Sequence, residues 1–256
     1  MSIRGAAPPA ATVVARGPFL AGGVVILDED EAHHLKVRRV GDGALIRLVD
    51  GRGGVATARI AVEGQAVVAR VIATTSIGAP PVTELLLGAG DRDRFLGAVE
   101  KATELGATKV VPVVSERAAG VATRFQAVHV EKATARAREA VKQCGGTWAP
   151  VVGTPVTLAE ALRQHPPKAV RLLADHEGGP MPALGEGDAV QWAIGPEGGF
   201  SEAEIGVLRA AGFRPVVLAR AILRFETAAV AALALTAAMR GRGGKRGDGE
   251  VSEVMK

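Results

Sequence analysis

The alternation of apolar and polar residues changes its period near residue 80. Before that point, apolar and polar residues alternate one by one over 44–49, 55–61 and 65–73, with the turn pairs Asp50-Gly51 and Glu63-Gly64 between these segments. Strict alternation is typical of strands with one buried face. The first part therefore predicts a small antiparallel sheet or barrel, with one further strand at 12–15 and a helix at 29–37.

Beyond residue 80, short apolar runs of strand length alternate with longer segments of helical period. The predicted strands are 83–87, 110–114, 169–174, 189–194 and 214–218, and the predicted helices are 91–105, 126–143, 157–164, 201–211 and 227–240. Strands that alternate with helices indicate an α/β domain with a parallel sheet and helices on both faces. Residues 77–81, with a double proline, read as a linker. We thus expect domains at 1–76 and 82–240 and a tail without fixed structure at 241–256.

The strand predicted at 189–194 runs directly into a glycine-rich loop. Gly195, Pro196, Glu197, Gly198 and Gly199 form a tight turn, because two of the glycines permit positive φ and the proline fixes its own. Ser201 and Glu204 then have the spacing of a capping box that opens a helix. Such a loop presents bare backbone at the carboxyl end of a strand, where ligands bind in open α/β sheets. The alternative is a tight connection that binds nothing.

A second loop follows the strand predicted at 214–218 and carries Arg224 and Glu226. Since both loops leave the carboxyl ends of strands in one sheet, they are expected to meet at one edge. An arginine and a glutamate placed there are candidates for chemistry. Seen alone, they could equally form a weak ion pair on the surface.

Composition narrows the class of protein. Hydrophobic residues make up 48% of 256 residues, which excludes disorder throughout. Cys144 is the single cysteine, so no internal disulfide can form and a reducing cytoplasm fits best. No secretory signal is evident, and the apolar run at 228–239 is shorter than the roughly 20 residues that a membrane span needs. The net charge of +4 permits a polyanionic partner.

Several kinds of ligand are disfavoured by the motifs that the chain lacks. Neither the phosphate-binding G-x-x-x-x-G-K-[ST] pattern nor G-x-G-x-x-G after a strand occurs, which argues against a nucleoside triphosphate or a dinucleotide. His33 and His34 are the one histidine pair, and neighbours on a helix point about 100° apart, so they cannot readily share an ion. We expect no metal site.

A set of motifs along most of the chain resembles the ribosomal RNA small-subunit methyltransferase E family. The matching stretches are H-H-L, V-R-R and G-D at 33–42, K-A-T-E-L-G at 101–106, S-E-R at 115–117, E-A-x-x-Q at 139–143 and I-G-P-E-G-G-F-S at 194–201. The loop sequence A-R-A-I-L-R-F-E at 219–226 is similar to a further family segment.

The resemblance implies a fold and an activity. The fold is a C-terminal SPOUT domain, with a parallel sheet and a trefoil knot that holds S-adenosylmethionine, preceded by a small PUA-like β-barrel that contacts RNA. The implied activity is methylation of N3 of a uridine in 16S rRNA, in the small subunit or a late precursor. A cytoplasmic homodimer is implied as well.

The resemblance also assigns roles to residues. Arg224 is expected to stabilise negative charge on the uracil, and Glu226, or Glu197 in its place, is expected to take the proton or orient the guanidinium. Arg38, Arg39 and Arg117 are the predicted RNA contacts. The predicted cofactor-binding residues are Leu172, Leu173, Ile194, Gly195, Pro196, Gly198, Gly199, Leu218, Ile222 and Leu223.

The chain departs from the family pattern at a few positions. Ala219 replaces a glycine, and Ala89, Gly146 and Ala221 replace basic residues. These departures keep two alternatives open: a non-catalytic RNA-binding or ribosome-assembly factor on a methyltransferase scaffold, and a related methyltransferase with a different target atom.

Overall fold

The computed structural model describes residues 8–63, 66–118, 120, 122–164, 166 and 168–241. Within these, the chain divides into two compact units. The first comprises the described residues up to Ala79 together with Val141–Trp148, and the second comprises Pro80–Ala140 and the described residues from Ala149 onward. The tail predicted at 241–256 lies, apart from its first residue, outside the described residues.

The first unit is a five-stranded sheet with one helix. Its elements are β1 (Thr12–Val14), β2 (Val24–Ile26), α1 (Glu29–Val37), β3 (Leu45–Val49), β4 (Gly54–Glu63) and β5 (Ala66–Ser76). The strand order is β1-β3-β4-β5-β2, and every pairing except that of β1 with β3 is antiparallel. The predicted strands and helix are thus present, whereas β2 was not predicted.

The core of the first unit follows from the alternation seen in the sequence. Ile46 and Leu48 in β3 and Ala56, Ala58 and Ile60 in β4 are spaced two apart, so their side chains share one face and are buried together. Asp28 caps α1, because its Oδ1 accepts a hydrogen bond of 2.9 Å from the Glu31 backbone N–H.

The segment Val141–Trp148 is fixed within the first unit by polar contacts. The Nζ of Lys142 lies 2.8 Å from the Oε1 of Glu31, and both side chains are almost fully buried. Arg47 donates to the carbonyl oxygens of Gly145 and Gly146 at 3.2 and 3.3 Å. These bonds satisfy backbone groups that follow the end of a helix.

The second unit is built of alternating strands and helices. Its strands are β6 (Thr83–Gly88), β7 (Lys109–Val114), β8 (Val151–Val152), β9 (Val156–Thr157), β10 (Val170–Gly179), β11 (Val190–Ile194) and β12 (Arg214–Val216). Its helices are α2 (Arg92–Glu104), α3 (Val130–Cys144, whose end belongs to the first unit), α4 (Leu158–Arg163), α5 (Glu202–Ala210) and α6 (Phe225–Gly241).

The strands of the second unit form one parallel sheet in the order β12-β10-β11-β6-β7-β8, with β9 also paired to β7. One face packs on α2, α3 and α6, and the other on α4 and α5. A parallel sheet with helices on both faces is therefore confirmed. The short strands β8 and β9 were not predicted, and a 3₁₀ turn at Ala127–His129 precedes α3 where one continuous helix was expected.

This strand order creates a crevice at the carboxyl ends of the strands. From β6 the chain proceeds to β7 and β8 on one side, and then returns to β10, β11 and β12 on the other. The chain changes side between β6 and β11, which are neighbours, and ligands bind at the carboxyl ends of strands near such switch points. The trefoil knot stays a prediction. Among the described residues, no helix combines the length and the apolar character needed to cross a membrane.

The buried pair Trp192 and Thr236 gives a test of packing between β11 and α6. The indole Nε1 of Trp192, which is fully buried, donates to Thr236 Oγ1 at 2.9 Å. Thr236→Val keeps the shape of the side chain and leaves the buried indole N–H without an acceptor. We therefore expect the free energy of unfolding to fall by about 1–3 kcal/mol. Urea denaturation measures this loss.

Thr134→Val in α3 is the matched control. The hydroxyl of Thr134 donates to the carbonyl four residues earlier, at 2.9 Å, and unlike that of Thr236 it accepts no bond from an indole. Its substitution should change the free energy of unfolding by less than about 0.5 kcal/mol. Equal losses for the two variants would contradict the assignment of the cost to the stranded indole.

Candidate active site

A cavity of about 630 Å³ opens at the carboxyl ends of the strands in the second unit. Its walls come from the end of β10, the loop after β11 and the segment between β12 and α6. The lining residues that the argument uses are Leu173, Asp175, His176, Ile194–Gly199, Leu218, Ala219, Ala221–Phe225, Arg94, Arg117 and Glu202. The two loops singled out in the sequence therefore meet at one cavity.

The glycine-rich loop is shaped by close approach of backbone to backbone. A Cβ on Gly195 would lie 2.8 Å from the carbonyl carbon of Gly199 and from the Phe200 nitrogen. Gly199 adopts a φ of +69°, in the left-handed region that favours glycine. The loop thus curls tightly and leaves its backbone bare toward the cavity.

The capping box predicted at the start of α5 is present. Ser201 Oγ accepts from the Glu204 backbone N–H at 3.2 Å, and Glu204 Oε2 accepts from the Ser201 backbone N–H at 2.8 Å. The helix therefore begins directly after the loop, so the loop is fixed at both ends by regular structure.

Glu197 is exposed at the cavity wall but is held in place. Its Oε1 accepts a hydrogen bond of 3.1 Å from the Asp91 backbone N–H. Its Oε2 lies so close to Gly90 that any Cβ there would be 2.3 Å away. One carboxylate oxygen is therefore committed to fastening the glycine-rich loop to the turn after β6.

Asp91 stabilises that turn in its own right. Its carboxylate caps α2 by accepting from the backbone N–H groups of Asp93 and Arg94, and it also accepts from the Thr123 hydroxyl at 2.9 Å. The Arg94 N–H and then the Thr123 hydroxyl hold the pKa of the Asp91 carboxyl below its usual value. The carboxylate stays ionised, which suits the positive end of the helix dipole.

The segment between β12 and α6 supplies several exposed side chains of the cavity. Ile222 is 84% exposed, Leu223 is half-buried and packs on the main core, and Arg224 is exposed at the cavity. Within the described part of the chain, the Arg224 guanidinium has no hydrogen bond or ion pair. It is therefore free to meet an anionic group.

Most of the predicted cofactor-binding residues line the cavity, and Leu172 does not. Leu172 and Leu173 are neighbours in β10, so their side chains point to opposite faces of the sheet. Leu172 is fully buried in the core that α2 and α6 cover, whereas Leu173 reaches the cavity. The structure thus brings one of this pair to the site.

Glu226 is not among the residues that line the cavity. It lies in the first turn of α6, and its Oε2 is buried without a hydrogen-bond partner among the described residues. The helix begins at Phe225 rather than at 227, and no ion pair joins Glu226 to Arg224 among the described residues. The two side chains are therefore not a paired unit in this structure.

Four charged or titratable side chains at the cavity were not predicted, namely Arg94, Asp175, His176 and Glu202. Strand β10 extends to Gly179, beyond the predicted end at 174, so Asp175 and His176 belong to its carboxyl end. The rule that ligands meet the carboxyl ends of strands could have found them. Arg94 and Glu202 lie in the first turns of α2 and α5, and no motif marks them.

The remaining predicted site residues lie as follows. Arg117 lines the cavity and donates to the Gly198 carbonyl at 2.9 Å. Arg38 and Arg39, at the end of α1, have exposed side chains in the first unit. The described residues contain no group of three side chains suited to hold a metal ion.

The departures from the family pattern fall into two classes. Ala219 and Ala221 line the cavity. Ala89 is buried at the end of β6, and Gly146 lies in the first unit beside Cys144. Ala219 and Ala221 are therefore the departures that change the lining of the cavity.

Comparison with known proteins identifies both units. The RNA methyltransferase domain family matches residues 79–237, and the RNA methyltransferase PUA domain family matches residues 27–72. The first match spans more than half of the chain.

Curated relatives and a solved structure agree with these matches. The ribosomal RNA small subunit methyltransferase E of Synechocystis is 29% identical over 82% of this chain and 71% of its own, and that of Mycobacterium bovis is 29% identical over 86% and 88%. The crystal structure of the enzyme of that name from Neisseria gonorrhoeae, bound to S-adenosylmethionine, superposes with a TM-score of 0.81 at 28% identity, covering 90% of this chain and 97% of that one.

These matches and the sheet order confirm the predicted α/β domain with a parallel sheet that follows a small PUA-like domain. They also agree with the position of the cavity, which lies within the matched residues 79–237. The chain belongs to the RNA methyltransferase family.

Proposed function

We propose that this protein transfers a methyl group from S-adenosylmethionine to N3 of a uridine in the 16S rRNA of the small ribosomal subunit. The observation that carries the proposal is that the glycine-rich loop and the loop of Arg224 line the same cavity. The relatives named above support it, since each is named as an rRNA small-subunit methyltransferase.

The cavity fits an adenosyl cofactor in size and chemistry. Its volume of about 630 Å³ falls in the ordinary range of small-molecule sites. Leu173, Ile194 and Leu223 give it apolar walls, and the loop at Gly195–Gly199 offers backbone donors and acceptors. The bound cofactor supplies an electrophilic methyl group on a positively charged sulfur.

Methylation at N3 of uridine requires the ring to lose a proton. The nitrogen carries that proton between two carbonyl groups, so negative charge develops on the uracil oxygens during the reaction. The free Arg224 guanidinium at the cavity can donate hydrogen bonds to such an oxygen. Hydrogen-bond donors and cations directed at developing charge are among the largest contributions to catalysis, and the bound RNA would orient the Arg224 guanidinium toward the uracil.

Two carboxylates are candidates for the proton acceptor. Glu197 lies on the cavity wall, and the hydrogen bond from the Asp91 N–H occupies one of its oxygens while the other keeps accepting capacity. Glu226 has a buried oxygen without a partner in the described chain, but it does not line the cavity. Of the two, the position of Glu197 favours it as the group that accepts the proton.

The substrate class implies further properties. The exposed Arg38 and Arg39 of the PUA-like unit and Arg117 at the cavity are suited to contact RNA phosphates. Reaching N3 requires the base to leave its stack. A cytoplasmic location belongs to the proposal as well, because small-subunit rRNA is made and assembled in that compartment. A homodimer belongs to it because the resemblance to the family implies one.

The first test is of the product. Deleting the gene should abolish 3-methyluridine from 16S rRNA, measured by mass spectrometry of its nucleosides. Purified protein with S-adenosylmethionine should restore the modification on small subunits from the deletion strain. Unchanged 3-methyluridine after deletion would overturn the proposal, and loss of another methylated base instead would indicate a different target atom.

The second test is of Arg224. Arg224→Ala should lower kcat by about 100-fold, because one donor to the developing charge is removed. The Kd for S-adenosylmethionine, measured by calorimetry, should stay within about twofold, since each tenfold change would need about 1.4 kcal/mol of lost contacts.

Arg220→Ala is the matched control for Arg224. Arg220 lies in the same segment and is exposed, but it does not line the cavity. Its removal should leave both kcat and Kd nearly unchanged. An equal loss of turnover and of cofactor affinity in Arg224→Ala would mean that Arg224 builds the pocket rather than acts on the uracil.

The third test is of the glycine-rich loop. Gly195→Ala places a Cβ 2.8 Å from backbone atoms of Gly199 and Phe200, which cannot yield as a flexible side chain would. The loop must shift, and we expect the affinity for S-adenosylmethionine to fall by about tenfold, as for other overpacked sites. Calorimetric titration measures this change.

Gly206→Ala provides the comparison for Gly195. Gly206 lies within α5, and a Cβ there meets no atom within 4 Å. This change should leave cofactor affinity intact and raise stability slightly, because alanine is the better helix former. Unaltered binding in Gly195→Ala would argue against the cofactor's lying on this loop.

A further inference from the structure

One buried carboxylate joins two loops that lead to the cavity. Glu204 is 8% exposed, and its Oε2 accepts both the Ser201 backbone N–H at 2.8 Å and the Ser115 hydroxyl at 3.2 Å. Its Oε1 accepts the Glu116 backbone N–H at 3.1 Å. The carboxylate thus fastens the corner after β7 to the end of the glycine-rich loop.

The same corner presents Arg117 to the cavity. The Arg117 Nη1 donates to the Gly198 carbonyl at 2.9 Å, and a Cβ on Gly198 would lie 3.2 Å from the Arg117 Cβ. Two links therefore run between the same pair of loops, one through Glu204 away from the cavity and one through Arg117 at its wall.

An arginine side chain has many rotamers, so the position of its guanidinium depends on how firmly its backbone is held. Residues 115 and 116 are held by Glu204, and residue 117 follows them directly. Without these hydrogen bonds, the backbone that carries Arg117 would no longer be held in the position from which its guanidinium reaches Gly198.

We propose that Glu204 is a positioning residue for the methyl transfer, which acts through Arg117 to hold the glycine-rich loop in its binding shape. The inference rests on the proposed function. Glu204 itself does not line the cavity. It also gives the S-E-R stretch at 115–117 a physical role, since each of its residues takes part in a link to the loop.

A purely structural role as a helix cap is the competing explanation. The protein contains its own comparison, because Thr157 and Glu160 form the same capping box at the start of α4. Glu160 Oε2 accepts from the Thr157 backbone N–H and hydroxyl, both at 2.8 Å. Unlike Glu204, Glu160 has no hydrogen bond to a cavity corner among the described residues.

The experiment is a double-mutant cycle between Glu204→Gln and Arg117→Ala. Glutamine keeps one carbonyl oxygen for Ser201 and replaces the other oxygen by an amide NH₂, so the Glu116 N–H loses its acceptor. We expect Glu204→Gln to lower kcat/KM for small subunits by about tenfold, and to lower the affinity for S-adenosylmethionine by about the same factor. The cause is the loss of one hydrogen bond to a charged group. In the Arg117→Ala background the same change should cost less than about twofold, since residues that act as one unit are not additive.

Glu160→Gln is the control for capping. It should destabilise the fold less than Glu204→Gln does, because Glu160 makes only the cap bonds to Thr157, while cofactor affinity and kcat/KM stay at the level of the unmodified protein. Equal effects of the two glutamine variants on affinity, or additive effects of Glu204→Gln and Arg117→Ala, would overturn the proposal.

A milder variant covers the case in which Glu204→Gln does not fold. Ser115→Ala removes one bond to the carboxylate and leaves the cap of α5 intact. It should lower cofactor affinity about threefold. In the Arg117→Ala background, the same change should leave cofactor affinity nearly unaltered. Because cofactor affinity needs no RNA, this readout separates failure of the inference from failure of the proposed rRNA substrate.

Discussion

The close approach of two backbones at the carboxyl ends of β6 and β11 is the constraint on which the candidate site depends. A Cβ on Gly88, the last residue of β6, would lie 2.3 Å from the Pro196 nitrogen. The glycine-rich loop can therefore lie directly on the end of the neighbouring strand. With no side chains between them, the loop packs against this strand end and forms one wall of the cavity.

Close contact alone does not fix a loop rich in glycine, because each glycine loses more conformational freedom on folding than other residues. Three polar links offset this cost. Glu197 binds the Asp91 N–H, Arg117 binds the Gly198 carbonyl, and Glu204 binds Ser201. A site whose dipoles are fixed before the ligand arrives needs little reorganisation during the reaction. The links also explain why charged residues accompany the glycines in this part of the sequence.

Much of this arrangement could be predicted from local patterns. The alternation of short apolar runs with helical segments indicates the parallel sheet, and both loops follow directly from the ends of its strands. The resemblance to the family assigns both Leu172 and Leu173 to the cofactor site, whereas neighbours in a strand face opposite ways and only Leu173 lines the cavity. The contact of Ser115 with Glu204 joins residues 89 apart in the chain. No local pattern indicates such a pair, since it depends on which strands become neighbours.

The boundaries of elements limited the prediction of chemistry in the same way. A helix start at Phe225 instead of 227 places Glu226 inside the first turn of α6, while Arg224 stays on the loop. Arg224 thus lines the cavity, and Glu226 does not. On the proposed function, this arrangement favours Glu197, which lines the same cavity, over Glu226 as the carboxylate that takes part in the reaction.

The alanines at 219 and 221 bear on which part of the function this chain retains. Both line the cavity, and neither removes Arg94, Arg117 or Arg224 from it. Stabilising an anionic uracil requires one cation aimed at one oxygen, and Arg224 can meet that requirement alone. Holding the polyanionic RNA, by contrast, depends on the sum of many weak cationic contacts. On the proposed function, the loss of the arginine expected at 221 should weaken RNA binding more than it slows the chemical step.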